Sequence, residues 1–461
     1  MKNWLSILRA AVRGDEHDFT KGNINVAIVL LAVPMMLEMA MESIFALVDT
    51  LFVGRVGVAA LTTVGLTEVV MTLVYSIAIG ISTAPMAMVA RFIGEKDPAN
   101  AARAARQAMW MAIGMSLLIG IPGFFYAEDI LRLMGASDAV VEQGKTYTQI
   151  MFASNIVIML LFLLNGIFRG AGEAAKAMRV LWLSNGINIV LDPILIFGLG
   201  PFPELGVTGA AVATCIGRGT GVLYQLYLLF GDHSVIKLKA GKWGLDWNML
   251  SRLGKIASNG AFQYLIASAS WVFLMRIISD FGDGAVAGYT VAIRLIIFTL
   301  LPAWGLANAT ATFVGQNLGA KQANRAETGV WRAARVTTIY MFIVGAIYVI
   351  GAPWLVGAFT ADPVAIAPGI QALRIFGLGY VLFGYGMVLV QSFNGSGDTR
   401  TPTYINIISF WIIEIPLGYF LGSYLGYGVP GVCAAVVIAE GILSGIAYVL
   451  FRRGRWKTTV V

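Results

Sequence analysis

The sequence predicts an all-α integral membrane protein with twelve transmembrane helices arranged in two six-helix lobes. Of its 461 residues, 58% are hydrophobic and only 12% are charged, a composition outside the range of soluble domains. Blocks of sequence also repeat with a constant offset of 225 residues, so that Gly94 and Lys96 recur as Gly319 and Lys321. We therefore expect two lobes built on one plan, related by a pseudo-twofold axis along the membrane normal.

Twelve apolar runs are long enough to cross the hydrocarbon core, which takes about 20 residues per helix. They lie roughly at 26–53, 62–89, 105–126, 147–168, 177–199, 207–230, 254–278, 285–313, 333–356, 370–393, 403–425 and 430–451. In lipid, backbone polar groups must be satisfied within the segment, so these runs should be helices.

The polar segments between the runs predict the domain bounds. We expect a tail at 1–25, an N-terminal lobe at 26–231, a linker at 232–253, a C-terminal lobe at 254–451 and a tail at 452–461. Trp4, Leu5 and Leu8 favour a short interfacial helix within the first tail, with a disordered segment as the alternative.

Basic residues concentrate in the tails, in the linker and in the loops after even-numbered spans, whereas the opposite loops are short and acidic. The positive-inside rule then predicts cytoplasmic N- and C-termini, and we expect a multi-pass protein of the plasma membrane. The net charge of +7 therefore reflects topology, and we expect no nucleic-acid partner.

Ionisable residues at membrane depth are costly and usually face the protein interior or a water-filled cavity. The first span carries Glu38, Glu42 and Asp49, which fall on one side of a helix. Pro34 precedes them and removes one helical hydrogen bond, so a hinge or a static kink is expected there.

The fifth span carries a second polar stripe formed by Asn185, Asn188 and Asp192, and Pro193 follows the acid directly. Carboxylate, amide and freed carbonyl oxygens suit a proton or Na⁺. Asp49 and Asp192 both lie near the outer ends of their spans, which predicts a shared site; the alternative is that each faces external water.

Other charges within the spans carry less information. Glu68, Glu414 and Glu440 could be functional, or they could form structural ion pairs with arginines. Met39 and Phe45, beside the acidic stripe, suit an adaptable apolar pocket, although such residues are also ordinary in membrane spans.

Several segments together resemble motifs of the multidrug and toxin extrusion (MATE) family, in a form typical of its DinF-like and archaeal branch. They are 48–54 (VDTLFVG), 94–97 (GEKD), 316–321 (QNLGAK), 169–173 (RGAGE), 188–193 (NIVLDP) and 206–211 (GVTGAA). The resemblance covers essentially the whole chain.

This resemblance implies a multidrug antiporter that exports amphipathic, mostly cationic compounds by alternating access, driven by H⁺ or Na⁺ and without a cofactor. It implies a coupling-ion site, which is also the only expected metal site, at Asp49, Asn188 and Asp192. Tyr147 and Thr214 are assigned to the same site. The expected substrate-binding residues are Glu42, Asn165, Asn185, Met39 and Phe45.

Four other classes of protein fit the sequence less well. A lipid-linked oligosaccharide flippase of the same superfamily tends to carry basic groups in its cavity, whereas the stripe here is acidic. A channel needs a continuous polar path, and a major facilitator has a different loop after its second span. The two histidines, His17 and His233, lie outside the spans, so we expect no enzyme. The expected partners are drug-like molecules and the lipid bilayer, with the chain as a monomer.

Overall fold

The computed structural model of this chain is almost entirely helical and describes residues 4–15, 17–239, 241, 243–360 and 362–461. Within these residues the α-helices are α1 Trp4–Arg13, α2 Ile24–Gly54, α3 Val58–Gly94, α4 Pro98–Phe125, α5 Ala127–Leu133, α6 Asp138–Ala153, α7 Asn155–Gly170, α8 Ala174–Phe197, α9 Gly206–Phe230, α10 Trp247–Ser279, α11 Asp283–Gly319, α12 Ala323–Phe359, α13 Pro363–Ser396, α14 Arg400–Asn406, α15 Ile415–Tyr419 and α16 Gly428–Arg452. π-Helices occupy Ile407–Glu414 and Phe420–Tyr424, and a 3₁₀ turn covers Arg455–Thr458.

The predicted membrane spans correspond to these helices. Among the described residues, ten helical stretches are long and apolar enough to cross a bilayer, and the bent pair α6–α7 makes an eleventh. The remaining predicted run, 207–230, is α9, which is helical over 25 residues but is less apolar because it carries Arg218 and several small residues. The fold class predicted from the sequence is confirmed.

Two spans are less regular than the sequence suggested. The run at 147–168 is divided between α6 and α7, which meet at Ser154 with a bend of 41°. The run at 403–425 alternates between α-helix and π-helix on either side of α15, which carries Pro416. Proline cannot donate a helical hydrogen bond, and π segments commonly accommodate such interruptions.

The internal repeat extends to backbone conformation. Helices α3 and α11 are both 37 residues long and end at Gly94 and Gly319. The turn after each helix contains a lysine with positive φ, 62° at Lys96 and 59° at Lys321. The two copies of the sequence therefore fold into the same helix and turn.

Backbone packing divides the chain into two compact units. The N-unit is Leu37–Ala261, and the C-unit comprises residues up to Met36 together with Phe262–Val461. Helices α2 and α10 each contribute to both units. The lobe bounds expected from the span order, 26–231 and 254–451, remain predictions.

The N-terminal helix α1 is present, as one of the two alternatives predicted. Ile7 and Ala11 are buried, whereas Trp4, Leu5 and Leu8 are exposed. Its placement on the membrane surface remains a prediction.

Candidate functional site

Glu38 of α2 is fully buried and forms an ion pair with Arg169 of α7. Its Oε1 accepts hydrogen bonds from Arg169 Nη2 at 2.5 Å and from Asn165 Nδ2 at 3.1 Å. Its Oε2 accepts a further bond from Arg169 Nε at 3.3 Å. A buried carboxylate is tolerated when it is paired and hydrogen-bonded in this way. Glu38 therefore has a structural partner that the sequence did not identify.

Asn165, predicted to bind substrate, lies inside the same buried network. Its Nδ2 donates to Glu38, and its Oδ1 accepts from Gln225 Nε2 at 2.7 Å. Gln225 also donates to the carbonyl of Leu161 at 3.3 Å. Both polar ends of the Asn165 amide are thus occupied by the protein.

Glu42 lies one helical turn after Glu38 and has different partners. Its Oε2 accepts from Asn185 Nδ2 at 2.9 Å, and its Oε1 accepts from Arg218 Nη2 at 3.2 Å. The Glu42 side chain is 24% exposed, whereas that of Arg218 is 6% exposed. The structure therefore brings the predicted substrate residues Glu42 and Asn185 together. Glu42 also has Arg218 as a second partner.

The guanidinium of Arg218 is packed against aromatic rings. Its Cζ lies 5.6 Å from the ring centroid of Phe45 and 5.6 Å from that of Tyr75. Phe45 was predicted to contact substrate, and it is buried. A cation within about 6 Å of a ring face is attracted by the ring quadrupole, so these rings help to fix the arginine.

Helices α8 and α9 pack closely because α9 presents glycines to α8. A Cβ added at Gly217 would lie 2.8 Å from the carbonyl oxygen of Ser184 and 2.9 Å from Cβ of Asn188. Small residues of this kind let two membrane helices approach. The approach allows Asn188 Nδ2 to donate to Thr214 Oγ1 at 3.1 Å.

Asp192 lies one turn further along α8 and is fully buried. Neither of its carboxylate oxygens, nor Oδ1 of Asn188, has a hydrogen-bond partner among the described residues. Pro193 lacks the N–H that would bond to the carbonyl one turn earlier. Buried acceptors of this type are costly unless something donates to them or binds them.

The charge of Asp49 acts on the carboxylate of Asp192, so the two acids are neighbours; a shared ion site there remains a prediction. Asp49 is half-buried on α2. Tyr147 of α6 is buried, and both acids act on its hydroxyl electrostatically. The structure thus brings together the predicted coupling residues Asp49, Asp192 and Tyr147, with Asn188 and Thr214 beside them on α8 and α9.

Glu68 of α3, for which the sequence left a functional role and a structural ion pair open, belongs to the same group of charges. Its side chain is exposed, and the charges of Asp49, Arg218 and Glu42 act on it. The signals available in the sequence were its membrane depth and its charge, which do not reveal neighbours on other helices. Neither Arg218 nor Tyr75 was predicted from the sequence as a site residue.

Met39, the remaining predicted substrate residue, is buried on α2. Its carbonyl oxygen accepts from Ser43 Oγ at 3.2 Å. Its side chain therefore lies in the buried interior of the N-unit.

The C-unit contains a separate pair of acids. Glu414, at the end of the first π-helix, is buried; it accepts a hydrogen bond from Ser270, and the charge of Glu440 acts on it. Arg276, an arginine of the same unit, pairs with Asp280 at 2.8 Å.

The family model MatE matches this chain twice, at residues 34–194 and 261–420. Together the matches cover more than half of the chain, one in each repeat. This chain belongs to the MatE family. It is a multidrug and toxin extrusion (MATE) transporter in fold, as the motifs indicated.

Known relatives of this MATE protein align over nearly their whole length. It is 25% identical to the probable multidrug resistance protein YpnP of Bacillus subtilis over 442 residues, covering 96% of this chain and 98% of the relative. It is 26% identical to an FAD transporter of Shewanella oneidensis over 443 residues, covering 95% and 97%.

Among solved structures, the MATE chain matches a MOP superfamily transporter from Pyrococcus furiosus with a TM-score of 0.89 and 27% identity. The match covers 96% of this chain and 98% of that one. That transporter is described as having a binding pocket of reverse polarity, which suggests a different function for it.

Proposed function

We propose that this MATE protein is a cation-coupled antiporter that exports amphipathic, mostly cationic organic compounds. The observation that carries the proposal is the buried carboxylate of Asp192, whose oxygens lack partners among the described residues and which interacts electrostatically with Asp49. Such a carboxylate can hold a coupling ion and release it when the conformation changes.

The coupling site consists of Asp49 and Asp192, with Asn188, Tyr147 and Thr214 around them. Two carboxylates in a low-dielectric interior repel, so a bound cation shared between them relieves the repulsion. The three unpartnered oxygens of Asn188 and Asp192 are fewer than a hard metal ion usually takes. We therefore favour H⁺ over Na⁺ as the coupling ion.

Substrate binds beside this site, where Phe45 and Met39 supply apolar surface and Glu42 and Asn185 supply polar contacts. The pairing of Glu42 with Arg218 means that Glu42 is not an isolated negative charge. Asp49 and the exposed Glu68 carry the negative charge available to a cationic substrate. The multidrug relative supports a drug-like substrate.

Alternating access requires that ion binding favour one conformation over another. Pro34 lies within α2, a few residues before Glu38, and it removes one hydrogen bond from the helix. We propose that neutralising Asp49 and Asp192 lets α2 bend relative to α8. The transporter acts as a monomer in the plasma membrane, with cytoplasmic termini.

A second candidate is transport of a phosphate-bearing or otherwise anionic compound, such as a lipid-linked oligosaccharide. Buried Arg218 and Arg169, together with the FAD transporter among the relatives, favour it. Glu38 occupies Arg169, however, and acids outnumber arginines around Arg218. We therefore place this function second.

The test is efflux from proteoliposomes in which a pH gradient and a Na⁺ gradient are imposed separately. Wild-type protein should export a cationic dye under the pH gradient. Asp192→Asn should abolish gradient-driven export, whereas Asp280→Asn, a control in an exposed ion pair with Arg276, should retain it. Wild-type rates in both Asp49→Asn and Asp192→Asn would refute the coupling assignment.

A further inference from the structure

We propose that helix α1 is a binding surface for membranes rich in acidic lipids. In this arrangement the apolar side of the helix enters the headgroup region, and Arg9 and Arg13 face the negative charge of the lipids. The inference concerns a partner of the chain and goes beyond the proposed export function. It also names the kind of lipid surface, which an amphipathic pattern alone does not.

The first argument is the apolar side of α1. Four large apolar side chains of this helix are exposed, Trp4 by 60%, Leu5 by 62%, Leu8 by 40% and Val12 by 41%. At about 100° per residue, they fall within an arc of about 100°. The helix has ten residues, whereas crossing the hydrocarbon takes about 20. This apolar side is therefore not part of a membrane span, and a lipid interface would cover it.

The second argument is the order of the sides around the helix. Ile7 and Ala11, which are 6% and 2% exposed, lie along one edge of the apolar arc and are covered by the protein. Arg9 and Arg13 lie beyond the other edge, and both are exposed. The helix thus contacts the protein along one edge and presents adjacent apolar and basic sides outward. Helices that lie in the plane of a membrane interface have this order.

The third argument is charge. The helix carries Arg9 and Arg13 and contains no acidic residue. Asp15 follows only after the chain turns at Gly14, where φ is 71°. Each arginine close to an anionic membrane surface strengthens binding about fivefold. The helix therefore complements acidic lipids better than neutral ones.

The fourth argument is that the segment after α1 is fixed to the ends of two spans. Arg325, near the start of α12, donates to three backbone carbonyls of this segment, those of Phe19, Lys21 and Gly22, at 3.3, 2.8 and 2.9 Å. Arg332 donates to Asn25 Oδ1 at 3.0 Å, and Phe19 is buried. Helices α2 and α12 are both candidate membrane spans, and both begin here. The segment therefore holds α1 close to the surface at which these spans enter the bilayer.

The experiment measures which side of α1 contacts lipid. The full chain, with Cys215→Ala and Cys433→Ala, is labelled with the fluorophore NBD at Leu8→Cys or, as a control, at Ser6→Cys. Ser6 lies about 160° from Leu8 around the helix. The protein is placed in nanodiscs of phosphatidylcholine, with or without an equal amount of phosphatidylglycerol. Both contain phosphatidylcholine that carries a nitroxide, and the measured quantity is the fluorescence quenched by this lipid.

With phosphatidylglycerol present, the probe at Leu8→Cys should be quenched several times more strongly than the probe at Ser6→Cys. Without it, the ratio of lipid-bound to free helix should fall about fivefold or more. Arg9→Gln/Arg13→Gln should remove this dependence on acidic lipid. Arg452→Gln/Arg453→Gln removes the same number of exposed charges at the end of α16 and should keep it.

Equal quenching in the two lipid mixtures, or equal quenching at the two labelled positions, would show this inference to be wrong. The same conclusion follows if the two double variants respond alike. Export of a cationic dye by the labelled protein is measured separately. If quenching is as expected but no dye is exported, the inference stands and the proposed function fails; export without lipid-dependent quenching has the opposite meaning.

Discussion

Replacing Glu38 by Gln should destabilise the protein strongly, because it leaves the guanidinium of Arg169 buried without its countercharge. The two side chains are 0% and 10% exposed, and removing one partner of such a pair costs about 3–5 kcal/mol. The pair between Lys457 and Glu327 has side chains that are 27% and 25% exposed. For pairs that water can reach, the corresponding loss is about 0.2–1 kcal/mol.

The double variant Glu38→Gln/Arg169→Gln removes both charges and should recover a large part of the loss, because no unpaired buried charge remains. Thermal stability of the purified protein in detergent, followed as loss of monodisperse protein on heating, ranks the variants. The expected order is wild type and Lys457→Met highest, the double variant next and Glu38→Gln lowest. The reasoning is refuted if Glu38→Gln is no less stable than Lys457→Met, or if the double variant is less stable than Glu38→Gln.

Two further predictions concern local structure. Gly217→Ala should cost about 1–3 kcal/mol of stability and reduce ion-coupled export, because its Cβ would lie 2.8 Å from the Ser184 oxygen. The control Gly219→Ala has nothing within 4 Å of its Cβ and should behave as wild type in thermal and efflux assays. Equal effects of the two variants would contradict the packing argument. Asp97→Ala should cost about 1 kcal/mol at pH 7, because Asp97 Oδ1 accepts from the backbone N–H of Asn100 at 3.0 Å at the start of α4. Hydrogen bonds from Asn100 lower the pKa of Asp97 below its ordinary 3.8. The stabilising contribution is therefore fully present well above that ordinary value and is lost as the pH falls through the lowered pKa. A difference between variant and wild type that grows on acidification would contradict it.

The sequence was sufficient for the fold because the signals for membrane helices are local. Runs of about 20 apolar residues must form helices in lipid whatever surrounds them, and a duplicated sequence implies a duplicated plan. The bend at Ser154 and the π-helix ending at Glu414 were not predicted. Both depend on packing and on local backbone hydrogen bonding, and neither is marked by hydrophobicity.

The candidate site was predictable only in part. The sequence placed Asp49 and Asp192 together because their depths agree and the family motifs coincide with them. It did not distinguish Glu38 from Glu42, which are four residues apart on the same stripe. Their different partners come from distant positions on α7 and α9, and side-chain pairing across 131 and 176 residues leaves no local pattern to read.

The lysines at the two repeated turns bear on how the internal repeat of this chain arose. A left-handed backbone costs a residue with a side chain roughly 1–2 kcal/mol, and glycine adopts the same conformation without that penalty. Within the part of the chain that the structure describes, Lys96 and Lys321 are the only non-glycine residues with positive φ, and they are copies of one another. Either the single ancestral half already carried this unfavourable lysine, or it arose twice independently. The first account needs one event, and it makes the strained turn older than the two-lobed transporter itself.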